Sequence, residues 1–177
     1  MTPYVALLRG INVGGQKKFP KAEQVALLES LAVANPQVYL HTGNWVFASE
    51  KEASVLEKEI SATLKKQYGW ELPVVVKSAT ELQAIFEGCP FPKQEKEQSY
   101  FALLQAVPSE AHKEKVKAYD FPGETAHVTD ACVYFFSATG YGKAKMNNNW
   151  FETKLKVAAT TRNYKTMNRL FRMLFDS

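Results

Sequence analysis

The sequence has 177 residues, 46% of them apolar and 23% charged, which is enough for one domain or for two small domains in tandem. This apolar fraction excludes wholesale disorder, and no apolar run approaches the about 18 residues that a membrane-spanning helix requires. The net charge of +4 is only a weak indication of an anionic partner.

The amino terminus and the cysteines predict the compartment and the metal content. Residues 1–4 lead directly into strand-like sequence, without the charged and apolar regions of a signal peptide. Cys89 and Cys132 lack metal-ligand spacing, and the three aspartates are scattered along the chain. We therefore expect a cytoplasmic protein that uses no metal and no cofactor.

The first half of the chain, residues 1–77, predicts the order strand, helix, strand, strand, helix, strand. The predicted bounds are 4–9, 20–34, 37–42, 44–49, 49–68 and 72–76. Gly43 and Asn44 form a favoured two-residue turn between the middle strands, which predicts a hairpin. Pro73 in the last strand predicts that this strand lies at a sheet edge.

Two kinds of signal predict the helices of the first half. Ser49 and Glu52 have the spacing of a capping box, which predicts the start of the second helix. Apolar residues at helical spacing predict the buried faces of the two helices. These residues are Val25, Leu28 and Leu31 in the first helix, and Leu56, Ile60 and Leu64 in the second.

Residues 78–98 predict a link between two halves. Ser78 and Glu81 have the spacing of a capping box for a helix that ends near Glu87, and residues 89–99 are rich in proline and charge. The second half, residues 99–177, repeats the order of the first and adds a final helix. Its predicted bounds are 99–106, 109–119, 125–129, 131–137, 147–156, 157–160 and 162–175.

A weak internal repeat supports this division. Residues 4–10 resemble residues 100–106, and residues 46–49 resemble residues 134–137. The order strand–helix–strand–strand–helix–strand is the ferredoxin-like pattern. We therefore predict an α+β fold of two tandem duplicated ferredoxin-like (βαββαβ) halves, with antiparallel sheets and a carboxy-terminal helix. A single mixed sheet is the alternative.

The first half carries a glycine-rich loop that the second half lacks. The loop, at residues 9–18, follows a strand and precedes a helix, and it holds Arg9, Lys17 and Lys18. Glycines permit close backbone approach, so that amide groups face an anion. The loop lacks the spacing of a phosphate-binding P-loop, and the alternative is a plain connection whose glycines only permit the turn.

The four arginines of the sequence concentrate near two predicted strand–helix junctions. Arg9 lies at the first junction, and the other three lie between residues 162 and 172, at and after the second. Arg162 is predicted in the first turn of the final helix, where a cation opposes the helix dipole and needs a compensating anion. Lys165, Arg169 and Arg172 share its helix face, opposite an apolar face. The alternative for this stripe is a solvated face.

Another mixed stretch, residues 140–151, contains glycines, lysines, asparagines and aromatic residues. Such a mixture occurs where phosphates are held and bases stack. We predict an ordinary loop into an asparagine-capped helix, with Trp150 and Phe151 packed inward.

Residues 9–15, 42–47 and 159–166 resemble the three signature stretches of the bacterial family DUF1697. This resemblance spans nearly the whole chain and implies a tandem ferredoxin-like fold in a soluble bacterial protein. It implies no established activity and no catalytic residue. The chain departs from the family at His41-Thr42, where the family has Gln-Ser, and at Tyr164-Lys165, where it has Trp-Asn.

Three functions remain open at this point. The leading hypothesis is a non-catalytic binding protein for a nucleotide, a phosphate compound or a nucleic acid. One form of it is RNA stacking on Tyr39, Trp45 and Phe47, and the alternative is that these rings belong to the core. The second is a small-molecule enzyme with Arg9 and Arg162 as anion clamps and His41 or Tyr164 as the proton donor. The third is a protein-assembly module of unknown oligomeric state. The predicted ligand-binding residues are Arg9, Gly10, Asn12, Gly14, Gly15, Lys17, His41, Asn44, Arg162 and Asn163.

Overall fold

The computed structural model describes residues 1–176, and contacts within the chain divide it into two compact units. The first unit comprises Met1–Ala84 and the chain from Arg169 onward, and the second comprises Ile85–Asn168. The strands are β1 (Thr2–Leu8), β2 (Ala34–Tyr39), β3 (Asn44–Ser49), β4 (Val74–Ser78), β5 (Tyr100–Leu104), β6 (Glu124–Val128), β7 (Cys132–Ser137) and β8 (Ala159–Asn163). The helices are α1 (Lys21–Ser30), α2 (Ala53–Tyr68), α3 (Ala79–Glu87), α4 (Lys93–Lys96), α5 (Glu110–Lys117), α6 (Asn148–Leu155) and α7 (Tyr164–Phe175).

Each unit contains one four-stranded antiparallel sheet. The strand order is β2-β3-β1-β4 in the first unit and β6-β7-β5-β8 in the second. The α+β class and the antiparallel sheets are therefore confirmed, and the alternative of a single mixed sheet is wrong. Within residues 1–176, no helix combines the length and the apolar character needed to cross a membrane.

The core of the first unit lies between its sheet and the helices α1 and α2. Alternate residues of β1 point to this core because side chains alternate across a strand. Leu56, Ile60 and Leu64 of α2 are fully buried against them, which confirms the predicted stripe. Val5 and Leu7, on the other face of β1, are also fully buried, so β1 is a continuous apolar run.

Helix α1 differs from its prediction in both length and face. It ends at Ser30 rather than near residue 34, and Ala32 beyond it has the left-handed φ of +55°. Its buried residues are Gln24, Leu27 and Leu28, whereas Val25 and Leu31 are only half-buried. Leu28 is therefore confirmed as a core residue, Val25 and Leu31 pack against the same core, and the prediction omitted Gln24 and Leu27.

One predicted capping box forms and the other does not. At α3, the Ser78 N–H donates to the Glu81 carboxylate at 2.8 Å, and the Glu81 N–H donates to Ser78 Oγ at 3.2 Å. At α2, Ser49 Oγ instead accepts from the Lys51 N–H at 3.1 Å, because Ser49 is still part of β3. The capping box predicted for Ser49 and Glu52 is wrong.

The loop between β2 and β3 touches the end of β1 at Gly43. The Leu8 N–H donates to the Gly43 carbonyl at 2.9 Å, and Gly43 has a φ of +88°. A Cβ atom at this position would lie 2.7 Å from the Leu8 Cβ and 2.9 Å from the Leu8 carbonyl oxygen. Only glycine fits here, so this contact fixes where the loop meets the sheet.

We expect Gly43→Ala to lower the free energy of unfolding by about 3 kcal/mol, because the strain of the left-handed backbone and the overpacked contact with Leu8 both destabilise the folded state. Gly69→Ala is the matched control, since Gly69 has a φ of +71° with no atom within 4 Å of an added Cβ. It should cost about 1–2 kcal/mol from backbone strain alone. Urea denaturation measures both variants, and equal losses would show that the approach to Leu8 adds nothing.

Candidate functional site

The glycine-rich loop between β1 and α1 forms a short hairpin. The Asn12 N–H donates to the Lys17 carbonyl at 3.1 Å, and the Gln16 N–H donates to the Val13 carbonyl at 2.9 Å. Gly14 and Gly15 form the turn with φ values of +58° and +73°, the pattern of a type I′ turn. The loop is therefore a defined protrusion, with Val13 62% exposed at its tip.

The side chain of Asn12 ties this hairpin to its surroundings. Its Oδ1 accepts from the Phe19 N–H at 2.8 Å, and its Nδ2 donates to the carbonyls of Phe19 and His41. The first contact closes the base of the loop, and the contact with His41 joins it to the loop between β2 and β3. Asn12, a predicted ligand residue, thus directs its carboxamide into the protein.

A buried glutamine that the sequence analysis missed completes this junction. Gln24 of α1 is fully buried, and its Nε2 donates to the Phe19 and His41 carbonyls at 2.8 Å each. Its Oε1 accepts from the Trp45 indole N–H at 2.9 Å. Two features of the sequence could have identified this role. One is a polar residue at a core-facing helix position, and the other is a core tryptophan whose N–H requires an acceptor.

An aromatic cluster fixes the far end of the loop. The Phe19 ring is fully buried and lies 6.3 Å from Trp45, 5.1 Å from Tyr68 and 5.6 Å from Trp70, measured between ring centroids. Tyr68 and Trp70 stack at 4.4 Å, and the Tyr68 hydroxyl donates to Glu23 at 3.0 Å. Burial is the main reason that the pKa of Tyr68 is raised. Both ends of the loop are therefore anchored in the core.

The outward side of the loop is basic. Residues 9–19 contain Arg9, Lys17 and Lys18 and no acidic residue, and His41 is exposed in the adjoining loop. Arg9 is half-buried, and its backbone N–H donates to the Pro73 carbonyl at 3.2 Å. Gly10, Gly14 and Gly15 are exposed. Within residues 1–176, the amides of Gly14 and Gly15 donate to no protein acceptor.

Asn44 is a second predicted ligand residue whose side chain serves the fold. It is fully buried, and its Nδ2 donates to the Tyr39 carbonyl at 3.2 Å and to Thr42 Oγ1 at 3.1 Å. These bonds hold the turn between β2 and β3. The predicted stacking of RNA on this hairpin is wrong for Trp45 and Phe47, because both rings lie in the core.

Arg162 and Asn163 belong to the second unit, whereas the other predicted residues belong to the first. Arg162 lies in β8 opposite Phe101, not in the first turn of a helix, so the predicted conflict with the helix dipole is wrong. Its half-buried side chain donates from the guanidinium to Thr160 Oγ1 at 2.7 Å and to the Thr161 carbonyl at 3.0 Å. Burial lowers the pKa of Arg162 to about 10, so it stays charged at neutral pH.

Helix α7 has the predicted two faces. Lys165, Arg169 and Arg172 are exposed, and Met167 and Leu170 are buried. The Asn163 Oδ1 accepts from the Thr166 N–H at 2.9 Å and caps the helix. In the first unit, the Arg169 guanidinium lies 5.9 Å from the centroid of the half-buried Tyr39 ring. No ligand is needed to explain these contacts.

The loop before α6 also matches its prediction. Asn147 Oδ1 accepts from the Trp150 N–H at 3.0 Å, which confirms an asparagine cap. Phe151 is buried and Trp150 is half-buried. In the described part of the chain, no group of three or more His, Cys, Asp or Glu side chains is placed to hold a metal ion.

Comparison with known proteins gives a family and a fold. A family model described as a protein of unknown function, DUF1697, matches residues 1–134. Among solved structures, the chain is similar to SP0830, a conserved bacterial protein from Streptococcus pneumoniae, with a TM-score of 0.77 and 22% identity over 98% of each chain. At 22% identity, this similarity establishes a shared fold and nothing further. Among curated proteins, none is detectably similar in sequence.

We expect Asn12→Gly to speed amide hydrogen exchange in residues 9–19 and 40–43, because three hydrogen bonds are lost while the φ of +54° is tolerated. The free energy of unfolding should fall by about 1–3 kcal/mol. Asn163→Gly is the control, because it removes a helix cap and should affect the start of α7 instead. Unchanged exchange in residues 9–19 would contradict the anchoring role of Asn12.

Proposed function

The chain belongs to the DUF1697 family of proteins of unknown function, and we propose that it binds an anionic, phosphate-bearing ligand at the glycine-rich loop of its first unit. A single observation carries the proposal. The exposed amides of Gly14 and Gly15 have no acceptor within residues 1–176, and they lie in a loop that holds three basic residues and no acid. Backbone amides and fixed positive charge together favour an anion.

The anchoring of the loop supports a binding role. Asn12 and Gln24 hold both the loop and its neighbour, so the amides are oriented before a ligand arrives. A preorganised loop loses less conformational entropy on binding than a mobile one does. Both central residues of the type I′ turn are glycines, so no side chain of their own stands beside their amides.

The proposed ligand class is defined by its phosphate. A nucleotide, a small phosphate compound and a nucleic acid all present the same oxygens to backbone amides and to lysines. We favour binding over catalysis because the guanidinium of Arg162, one of the two anion clamps of the enzyme hypothesis, donates to Thr160 and Thr161. Arg162 is therefore left out of the proposed site.

We further infer that each unit is a ferredoxin-like half and that the two arose by duplication. The support is the shared order of strands and helices, the shared strand order within each sheet, and the resemblance of residues 4–10 to residues 100–106. We also infer a cytoplasmic location in a bacterium. Two free cysteines support the cytoplasm, and the resemblance of residues 9–15, 42–47 and 159–166 to a bacterial family supports the bacterial source.

The test of the loop is a titration with inorganic phosphate and pyrophosphate, followed by calorimetry at two salt concentrations. We expect Gly14→Val to weaken binding about tenfold or more, because a β-branched residue resists a positive φ and distorts the amides. Gly14→Asn is the matched control, since asparagine accepts the left-handed region and should keep most of the affinity. Equal affinities of the two variants would overturn the role of the turn.

Charge is tested separately. Lys18→Glu and Lys66→Glu change the net charge equally, and both lysines are exposed in the first unit. Only Lys18→Glu should weaken phosphate binding, and the loss should shrink as salt is raised. If wild-type protein binds neither anion at either salt concentration, the proposed function fails, and a mass that rises with concentration would favour the assembly hypothesis.

A further inference from the structure

The second unit carries a cluster of aromatic rings and lysines, separate from the glycine-rich loop, where the chain leaves α5 and enters α6. Its members, called here the aromatic–lysine cluster, are Tyr119, Phe121, Lys145, Trp150 and Lys154. The Tyr119 and Phe121 rings are nearly parallel, with centroids 5.8 Å apart. The Trp150 ring stands edge-on to both, at 5.1 Å from Tyr119 and 6.0 Å from Phe121.

Both lysines lie over these rings. The Lys154 Nζ is 4.6 Å from the Tyr119 centroid and 5.7 Å from the Trp150 centroid, and it donates to the Tyr119 hydroxyl at 2.8 Å. The Lys145 Nζ is 5.5 Å from the Phe121 centroid. Tyr119 is 43% exposed, and Phe121 and Trp150 are half-buried. The cluster therefore presents aromatic surface and positive charge to solvent together.

The acidic residues near the aromatic–lysine cluster do not cancel its positive charge. Residues 143–156 contain four lysines and one acid, Glu152. The Glu152 carboxylate accepts from the Ala159 N–H at 3.0 Å. The Glu124 carboxylate accepts from the N–H groups of Lys145 and Met146 at 3.0 and 2.8 Å. Asp120 is exposed beside Tyr119 and is the opposing charge.

We propose that the aromatic–lysine cluster binds single-stranded nucleic acid. Aromatic faces stack on unpaired bases of any sequence, and lysines beside them contact the phosphates. An acidic protein surface would use the lysines but not the ring faces. A duplex hides its base faces, so it would use the lysines alone. The combination of rings and lysines favours a single strand over both.

Binding of a base requires a lysine ammonium group to leave the ring face and to contact a phosphate instead. In the free protein, the ammonium of Lys154 covers ring faces of Tyr119 and Trp150. An incoming base displaces it, and the long side chain then reaches a phosphate of the same strand. Base stacking on an aromatic ring is stronger than an exposed cation–π contact, so the exchange favours the bound state.

The first test is fluorescence anisotropy of a labelled oligouridylate of about 12 nucleotides, a length within the usual range of single-strand sites. We expect Tyr119→Ala to weaken binding about tenfold, and Tyr119→Phe to bind nearly as well as wild type because the ring remains. Phe175→Ala, at an equally exposed ring of the first unit, is the control that should change little. Circular dichroism confirms that each variant folds. Equal affinity of wild type and Tyr119→Ala would overturn the proposal.

The second test separates stacking from charge. The affinity for a single strand falls as salt is raised, and Lys154→Ala should make the slope of log affinity against log salt less steep by about 0.7. This is the value for one lost phosphate contact on a single strand. Asp120→Asn should tighten binding. A duplex of the same length or a poly-glutamate peptide that binds as tightly as the single strand would overturn the proposal. Gly14→Val should bind the oligonucleotide like wild type, so failure of the loop site and failure of the aromatic–lysine cluster are distinguishable.

Discussion

The geometry of the first unit depends on the buried carboxamide of Gln24. It accepts from the indole of Trp45 and donates to two backbone carbonyls, those of Phe19 and His41. These groups lie in three different segments of the chain, and the side chains of Trp45 and Phe19 are fully buried. The Trp45 indole N–H would cost about 1–3 kcal/mol if it were left unpaired, whereas the two carbonyls also accept from Asn12. One side chain therefore holds a helix, a strand and two loops in a single arrangement.

This arrangement determines what the glycine-rich loop can offer a ligand. The side-chain carboxamides of Asn12 and Asn44 suit ligand recognition, but both form hydrogen bonds to backbone groups and hold loops in place. The backbone of the turn and the basic side chains beside it remain outward. At the site we propose, a ligand would therefore meet oriented amides and diffuse positive charge, and it would be recognised by charge and shape rather than by a set of side-chain hydrogen bonds.

The sequence predicted what short-range patterns control. The spacing of Leu56, Ile60 and Leu64 identified the buried face of α2, and the capping box at Ser78 formed as predicted. Segment order and sheet type followed from the same local signals. The inward roles of Asn12 and Gln24 were missed because each bonds to a residue brought near only by folding, and a single sequence does not list such neighbours.

The end of the last strand shows the same limit in another form. The sequence predicts that the strand ends at residue 160 and that the final helix begins at residue 162, as the following amphipathic pattern suggests. Residues 160–163 instead pair along β5, where Arg162 lies opposite Phe101 and Asn163 lies opposite Tyr100. Pairing with a neighbouring strand overrides weak local preference, because the ladder satisfies backbone groups that a helix start would leave open.

The division of the chain also bears on how the protein is made. The second unit is continuous, but the first unit includes the segment from Arg169 onward, which a ribosome translates after the second unit. Domains usually fold in the order of their synthesis. In this protein the second unit is ready to fold before the first has received its last segment. The first unit therefore remains incomplete during synthesis until the helical segment from Arg169 onward has been made.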